Sequence, residues 1–326
     1  PFRAEWSIYA GLVLIALAMR LYDLGGRAVH HDESLHGYFA YQLFIGNGYD
    51  HNPLMHGMFQ FYSIATAFFL VGDSDFSLRL AMAVFGTGLV LVPLLLRPRI
   101  GQVGALIAAL MLAFSPSMLY FSRFARNDIF MAVFALALVG VMWRYIDERK
   151  HRWLYIGAGL VAIGFTTKET MYIVIALLMA YLGTQVWREI RDWLYARRTL
   201  SEFSPTASFL VLLGTLVLPL LAAGAAIFQS TLGVTLAAED GLPGLPTGSP
   251  NGAGWPIAIG ISAALLAASL LLGWYWKRRV FLGSWAIFTA VFIMLFASFG
   301  SNPGGVGSGS WQSLGYWLAQ QDVARG

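Results

Sequence analysis

The chain has 326 residues, of which 58% are hydrophobic and only 12% are charged, and its net charge is +4. Soluble domains carry about 25% charged residues, so this composition excludes a soluble enzyme, a disordered chain and a nucleic-acid-binding module, and it predicts an all-α integral membrane protein. Cysteine is absent, which excludes disulfide bonds, thiolate metal ligands and thiol catalysis.

Apolar windows that are long enough, or nearly long enough, to span a bilayer recur along the whole chain. Window 54–71 differs from the others because it follows Pro53 and carries Gln60 and Tyr62, so we expect an interfacial or re-entrant helix there. The two windows that flank residues 166–170 are short and are expected to form one helical hairpin. The full set of windows is at about 6–22, 54–71, 78–96, 101–121, 128–146, 153–167, 170–187, 207–228, 255–274 and 280–299.

The distribution of basic residues favours one topology. If window 54–71 does not span and the N-terminus is cytoplasmic, 14 of the 21 Lys and Arg residues face the cytoplasm, whereas only 6 do if that window spans. Positive residues prefer the cytoplasmic side, so we expect nine transmembrane helices. The charge of the described topology is then +8 inside and −4 outside, counted over all Lys, Arg, Asp and Glu residues.

One polytopic membrane domain is expected over residues 1–326. Its outer segments are a loop with interfacial helices at 22–77, a loop at 229–254 and a tail at 300–326. Runs of Gly, Pro and Ser within 239–256 and 300–310 predict flexible segments. Because the sequence begins at Pro1 and ends without an apolar segment, we expect it to be a piece of a longer polypeptide.

Histidines are concentrated in the first outer loop, where five of the six lie within 27 residues. In a helix that begins near Asp32, this residue shares a face with His36 at i and i+4, while His31 and Glu33 are its neighbours. A carboxylate beside imidazole groups suits a general base that takes a proton from a hydroxyl group, which favours Asp32. The simpler alternative is that Asp32 and Glu33 only cap the start of a helix.

A second outer cluster surrounds Pro53. Proline is favoured at the first position of a helix, where Asp50 or Asn52 is a candidate cap. This structural role does not explain His51 and His56, which we expect to support a site.

A divalent metal ion, Mg²⁺ or Mn²⁺, is a weaker alternative for the same loop. Its ligands would be Asp32, His36 and His51, since carboxylate and imidazole groups bind such ions. The spacing of these residues matches no zinc signature, so the general base is the stronger interpretation.

Basic residues at the outer ends of helices form a third group. Arg79 begins one span, Arg126 precedes Asp128 between two others, and Lys168 adjoins Glu169. Ionisable residues at membrane depth usually line a polar cavity, and guanidinium groups match phosphate oxygens. We therefore expect the three basic residues to hold the phosphate of a lipid head group. The alternatives are local ion pairs with the adjacent acids, or side chains that snorkel to the interface.

Taken in order, these motifs resemble those of a known superfamily. Asp-Glu at 32–33 is followed by His-Asn-Pro-Leu at 51–54, Phe-Ser-Leu-Arg-Leu-Ala at 76–81, Ser-Arg-Phe-Ala-Arg-Asn-Asp at 122–128 and Thr-Lys-Glu at 167–169. The series is similar to the GT-C superfamily of membrane glycosyltransferases, in particular the protein O-mannosyltransferases and aminoarabinose transferases. It looks closest to a family of membrane mannosyltransferase-like proteins that is associated with flippase activity in N-glycosylation.

The resemblance implies transfer of a sugar from a polyprenyl-phosphate donor to a glycan, lipid or protein acceptor on the extracytoplasmic face of the cell membrane. It implies that Asp32 is the base, with Glu33 supporting it or helping to hold a metal ion. Arg79, Arg126 and Lys168 would hold the donor phosphate. The protein-mannosylating branch carries a lysine near the position of His56, and this chain does not. The residues expected to support the site are His31, His36, His51, His56, Asp128 and Glu169.

Two other functions remain as alternatives. The first is a GT-C-like scaffold or accessory subunit that binds lipids or pigments within a larger complex of membrane subunits, which the 15% aromatic content allows. The second is a flippase or transporter of lipid-linked sugars, which predicts ionisable residues at mid-span, whereas here they lie near helix ends. Membrane lipids are partners in every case, and nucleic acid is a partner in none.

Overall fold

The computed structural model of the chain describes residues 2–239 and 246–320, with side chains from residue 5 onward. The secondary structure in these ranges is helical, which confirms the all-α fold. Residues 240–245 of the predicted flexible loop and residues 321–326 of the tail lie outside the described residues.

The helices follow one another with short connections. The α-helices are α1 (Phe2–Leu21), α2 (His31–Phe44), α3 (Phe59–Val71), α4 (Asp75–Leu89), α5 (Pro93–Phe114), α6 (Pro116–Phe121), α7 (Asp128–Glu148), α8 (Arg152–Phe165), α9 (Thr170–Leu194), α10 (Pro205–Val217), α11 (Gln229–Leu232), α12 (Gly254–Phe296), α13 (Gly305–Gly307) and α14 (Ser313–Ala319). Short 3₁₀ helices lie at Pro53–Met55, Leu200–Glu202, Leu218–Phe228 and Ser298–Gly300, and a π-helix lies at Ser308–Gln312.

Six helical segments in the described chain are long and apolar enough to cross a membrane, which supports a multi-pass membrane protein. Helix α3 has 13 residues and is therefore about 20 Å long, too short for a hydrocarbon core of about 30 Å, as expected for window 54–71. Helix α8 is also short, at 14 residues, whereas α9 has 25 because it continues past the apolar window. The six segments are Asp75–Leu95, Arg97–Phe114, Asp128–Glu148, Thr170–Leu194, Pro205–Leu232 and Gly254–Phe296.

Helix α12 comprises two arms. Its 43 residues would extend about 65 Å if straight, roughly twice the bilayer core. At Lys277 the backbone leaves the helical region, with φ −148° and ψ 81°. Gly273 lies against the ring of Phe281, although residues eight apart are about 12 Å apart along a straight helix. The chain therefore bends sharply at Lys277, which separates the two predicted windows 255–274 and 280–299.

The chain divides into two compact units, and the first comprises residues 1–49 and 58–147. Its core contains Tyr9 and Ala16 of α1 packed with Ala109 and Ala113 of α5. Alanine at these contacts lets helix backbones approach closely, as is common in membrane bundles. Large apolar side chains on the other faces of the helices, such as Val103, are exposed, as expected where the surrounding solvent is lipid.

The second unit comprises residues 50–57 and the chain from residue 148 onward. The segment 300–310, which was expected to be flexible, is largely ordered into turns and helix. A side chain at Gly305 would collide with the carbonyl of Phe296, and one at Gly309 would collide with the ring of Phe296. These glycines permit close packing, so the same composition that predicts flexibility has another physical cause here.

Candidate functional site

The first turn of α2 carries the two predicted acids in unit 1. His30 precedes the helix, and its Nδ1 accepts the N–H of Asp32 at 3.2 Å. In return, Glu33 Oε2 accepts the N–H of His30 at 3.1 Å. This is a capping box in which histidine replaces the usual Ser or Thr, and it places both carboxylates at the positive end of the helix dipole. His31, the first residue of α2, is exposed.

Glu33 is directed into the protein, where its side chain has no exposed surface. Arg79 donates to both of its carboxylate oxygens at 2.8 Å, the N–H of Ala125 donates at 2.9 Å, and Arg27 donates at 3.0 Å. Burial alone raises the pKa of Glu33, but the hydrogen bonds from Arg79, Ala125 and His30 outweigh it and lower the pKa to about 2. Glu33 is therefore ionised and fully occupied by partners of the fold.

Arg79 is equally enclosed, with 1% of its side chain exposed. Besides its two bonds to Glu33, it donates to the carbonyl oxygens of Leu24 and Arg27 at 3.0 Å and of Ala28 at 3.3 Å. A guanidinium group has five N–H donors, and these contacts use all five. The arrangement differs from the phosphate-binding role predicted for Arg79, because the side chain fastens the segment after α1 to α4.

Asp32 is paired with Arg126 in a more open arrangement. Its Oδ2 lies 3.0 Å from Nη1 of Arg126, and the two side chains are 37% and 35% exposed. Nε of Arg126 lies 3.7 Å from Oδ2 of Asp128, which begins α7. The guanidinium thus lies between two carboxylates, and it retains N–H groups without an acceptor among the described residues.

The backbone of Ala125, the residue before Arg126, is held by three hydrogen bonds. Its N–H donates to Glu33, and its carbonyl oxygen accepts from Nδ1 of His36 at 3.0 Å and from Nε2 of Gln60 at 2.9 Å. His36 and Gln60 are both buried. His36 lies four residues after Asp32 in α2, as expected, and its ring contacts this backbone carbonyl.

In unit 2, Asn52 caps the 3₁₀ helix that begins at Pro53, since its Oδ1 accepts the N–H of Leu54 at 3.0 Å. The neighbouring His51 is buried, and its Nε2 lies 3.0 Å from the carbonyl oxygen of His56 and its Nδ1 lies 2.7 Å from Oγ of Ser308. Burial lowers the pKa of His51 to about 4, although the charge of Glu169 opposes this shift. Neutral His51 has one ring N–H, which Nε2 donates to the carbonyl, so Nδ1 is the acceptor that faces Oγ of Ser308.

His56 contacts the turn between α8 and α9. Its Nδ1 lies 2.7 Å from Oε2 of Glu169, and its ring stacks on Trp317 with 5.8 Å between centroids. The next residue, Gly57, donates its N–H to Thr167, and a side chain there would collide with the carbonyl of Thr166. Glycine is required at this position because the two backbones approach so closely.

A cavity of about 300 Å³ in unit 2 contains Lys168 in its wall. The wall contains both charged groups and aromatic and aliphatic side chains. This combination suits a ligand with an anionic group and an apolar body. The lining residues are His56, Lys168, Glu169, Thr170, Tyr172, Ile173, Leu314 and Trp317.

Among the described residues, no group of three His, Asp or Glu side chains is placed to hold the divalent metal ion that was considered as an alternative. His36 has a ring nitrogen on the Ala125 carbonyl, and both ring nitrogens of His51 have partners.

Four further residues belong to these clusters, and no motif marks them as functional. Arg27 and Ser308 resemble any other arginine or serine of the sequence, and their roles depend on contacts with residues distant along the chain. Trp317 lies in a tail whose function the sequence leaves open. Gln60 alone carries a signal, since a glutamine within an apolar window requires a buried hydrogen-bond partner.

Comparison with known proteins supports the resemblance stated from the motifs. Residues 55–209 match the family described as "Dolichyl-phosphate-mannose-protein mannosyltransferase". This segment is slightly less than half of the chain, and it includes Arg79, Arg126 and Lys168 but begins after Asp32 and Glu33. No curated protein and no solved structure matches the chain significantly.

Proposed function

We propose that the chain is a GT-C-type membrane glycosyltransferase, which the family match over residues 55–209 supports, and that it moves a sugar from a polyprenyl-phosphate donor to an acceptor hydroxyl with Asp32 as the general base. The observation that carries this proposal is the contrast between two neighbouring carboxylates. Glu33 is enclosed, whereas Asp32 is partly exposed at a helix N-terminus and is paired with an arginine that has further N–H groups to offer.

The proposed reaction is a single displacement. An oxygen of Asp32 accepts the proton of the acceptor hydroxyl while the hydroxyl oxygen forms a bond to the anomeric carbon. The bond from that carbon to the phosphate oxygen breaks with its electron pair, and the lipid phosphate leaves with inversion at the sugar. Arg126 neutralises the charge that develops on the phosphate.

Arg126 links donor binding to the base. In this structure Asp32 and Asp128 are its anionic partners, with N–O distances of 3.0 and 3.7 Å. A donor phosphate competes for the same guanidinium, because arginine binds phosphate oxygens through its planar fork. When Arg126 turns towards the donor, Asp32 Oδ2 becomes available to the acceptor hydroxyl. Donor binding thereby prepares the base.

In unit 2, considered by itself, the phosphate-binding role predicted for Lys168 is kept as part of the proposal. Its cavity also contains the rings of Tyr172 and Trp317, which offer apolar faces for an isoprenoid or a sugar ring. Glu169, the neighbour of Lys168, contacts His56 in the same cavity wall, with 2.7 Å between Oε2 and Nδ1. The proposal places these groups on the extracytoplasmic side, with the N-terminus cytoplasmic, because that topology gives the cytoplasm most of the basic residues.

The decisive variant is Asp32→Asn, which keeps the size and hydrogen-bonding capacity of the side chain and removes its basicity. We expect transfer from a defined polyprenyl-phosphate sugar to fall about 10²–10⁴-fold while the protein remains in the membrane. Asp75→Asn is the matched control, because Asp75 is also an exposed acid in the first turn of a helix, and it should keep near wild-type activity. Full activity of Asp32→Asn refutes the assignment. Wild-type protein that lacks transfer activity and purifies only within a larger complex supports the scaffold function instead.

A further inference from the structure

Another cavity lies in unit 1, near the ends of α1 and α5, and the proposed reaction does not use it, although one of its lining residues, Arg27, contacts Glu33. Its volume is about 310 Å³. Its lining residues are Leu24, Arg27, Pro116, Leu119, Tyr120 and Arg123. Two arginines beside apolar and aromatic side chains form an unusual wall for a cavity that the proposed reaction does not use.

The position of the cavity along the helices indicates the membrane interface. The spanning segment of α5 ends at Phe114, and Pro116 begins α6 two residues later. Leu24 follows the end of α1 by three residues. The arginines at the start of the same spanning segment, such as Arg99, lie at its other end. Residues directly beyond the end of a span lie at the depth of lipid head groups.

The arginines of the cavity are not neutralised by their contacts. Arg123 donates to the carbonyl oxygens of Met19 at 3.0 Å and of Asp23 at 3.2 Å, which are neutral acceptors. Arg27 donates to Glu33, but the charge of Glu33 is already matched by Arg79. Both cavity arginines keep N–H groups for which the described part of the chain provides no acceptor.

A third arginine, which is buried, adds to the positive charge of Arg27 and Arg123. Arg20, with no exposed surface, donates to Ser122 and to the carbonyl oxygens of Leu112 and Ala113, at the end of α5. These contacts stabilise it as a cap on a helix C-terminus, where cations are favoured. No described carboxylate pairs with Arg20, so its positive charge remains and favours an anion nearby.

The rings beside Arg27 hold its guanidinium in place. The group lies 5.1 Å from the centre of the Phe124 ring and 6.0 Å from that of Tyr120, distances that allow cation–π attraction. A guanidinium that is already oriented loses less conformational entropy when it binds a ligand. Tyr120 and Leu119 provide apolar surface next to it, as the first carbons of a lipid tail require.

We propose that this cavity binds the phosphate group of an anionic membrane phospholipid. Arg27 and Arg123 bind the phosphate oxygens, while Leu24, Leu119 and Tyr120 contact the glycerol and the first methylene groups. The apolar wall and the depth of the cavity favour a phosphate carried by a lipid over a free phosphate ion. Neither Asp32 nor Arg126 lines the cavity, so the bound lipid is a structural partner of unit 1 and is not consumed.

The test uses the whole purified chain with phosphatidylglycerol as the anionic probe, phosphatidylcholine as the zwitterionic probe and inorganic phosphate as the soluble probe. Bound lipid is counted by native mass spectrometry, and binding curves give the affinities. We expect phosphatidylglycerol to bind at least about tenfold more tightly than phosphatidylcholine, since each charge-assisted contact contributes about a factor of ten. Inorganic phosphate should neither bind measurably nor displace the lipid.

Two variants locate the site. The double variant Arg27→Gln with Arg123→Gln should lose the preference for phosphatidylglycerol. Leu119→Trp should lose it as well by filling the cavity, and it leaves the bond between Arg27 and Glu33 intact if the double variant fails to fold. Arg99→Gln is the matched control, because Arg99 also contacts an acid and an aromatic ring, namely Asp147 and Trp143. Wild-type protein without the preference, a preference that survives in Leu119→Trp, or equal binding of inorganic phosphate overturns the proposal.

Discussion

Two carboxylate–arginine pairs in unit 1 begin at adjacent residues of α2 and differ in almost every physical respect. The pair of Glu33 and Arg79 is buried, bidentate and surrounded by backbone partners. The pair of Asp32 and Arg126 has a single close contact and is about one-third exposed on both sides. Every N–H group of Arg79 has an acceptor, whereas Arg126 keeps N–H groups without an acceptor among the described residues.

This difference separates stability from ligand binding. A buried ion pair whose hydrogen bonds are all satisfied offers nothing to a ligand, and removing one partner leaves an uncompensated charge in a medium of low dielectric constant. An exposed pair contributes little to stability, but its partners can exchange at low cost. Adjacent acids therefore serve different purposes because one is enclosed and the other is not.

The largest effect that tests this comparison is expected from Glu33→Gln. The variant keeps the volume but leaves the Arg79 guanidinium buried without a counter-charge, which should lower the free energy of unfolding by about 3–5 kcal/mol. Thermal unfolding in detergent measures the change. Asp32→Asn, the matched substitution at the exposed pair, should change it by less than about 1 kcal/mol. Equal effects of the two variants contradict the comparison.

Much of the architecture follows from composition and from apolar windows. Apolar windows of the right length predict helices because the bilayer permits few alternatives, and Pro53 with Asn52 predicts a helix start for a local reason. The separate windows 255–274 and 280–299 likewise predict two membrane segments where α12 has its two arms. These features depend on residues that are close together in the sequence.

The roles of Glu33 and Arg79 could not be predicted in the same way. Residues at i and i+1 point about 100° apart on a helix, so one acid of the pair had to be directed away from the other. Which acid is buried depends on Arg79, 46 residues further on. Arg79 and Arg126 are equivalent as sequence signals, and only their contacts distinguish them. The prediction of a flexible glycine-rich tail is wrong for a similar reason. Gly305 and Gly309 are packed against Phe296, a contact that their neighbours in the sequence do not indicate.

A smaller effect extends the comparison to unit 2, where His51 is buried and His31 of unit 1 is exposed. Burial lowers the pKa of His51 to about 4, below the value of about 6.5 for an unfolded chain. Between these two values the unfolded state binds the proton and the folded state does not, so stability falls as the pH falls from about 6.5 to about 4. The loss from this residue is at most on the order of 3 kcal/mol.

The variant His51→Gln should remove that pH dependence. Thermal midpoints measured from pH 7 to pH 4.5 should decline less steeply than for the wild type, whatever the absolute stability of the variant. His31→Gln, at an exposed histidine of α2, is the matched control for the substitution itself. An unchanged slope in His51→Gln shows that this histidine is not kept neutral by the fold.

The smallest expected effect concerns Arg126 and tests the open pair directly. In Arg126→Gln the guanidinium is lost at a site that contributes little to the fold, so the free energy of unfolding should change by less than about 1 kcal/mol. If Arg126 binds the donor phosphate, KM for the lipid-linked donor should rise about tenfold, which corresponds to the loss of one charge-assisted contact. Steady-state kinetics with varied donor concentration measure this change, and Arg126→Lys should recover part of it because the charge remains without the planar fork. Arg79→Lys should show the reverse pattern, with lower stability and an unchanged donor KM in the protein that folds. A raised donor KM in both variants removes the distinction between the two pairs, since the enclosed arginine would then act on the donor as well.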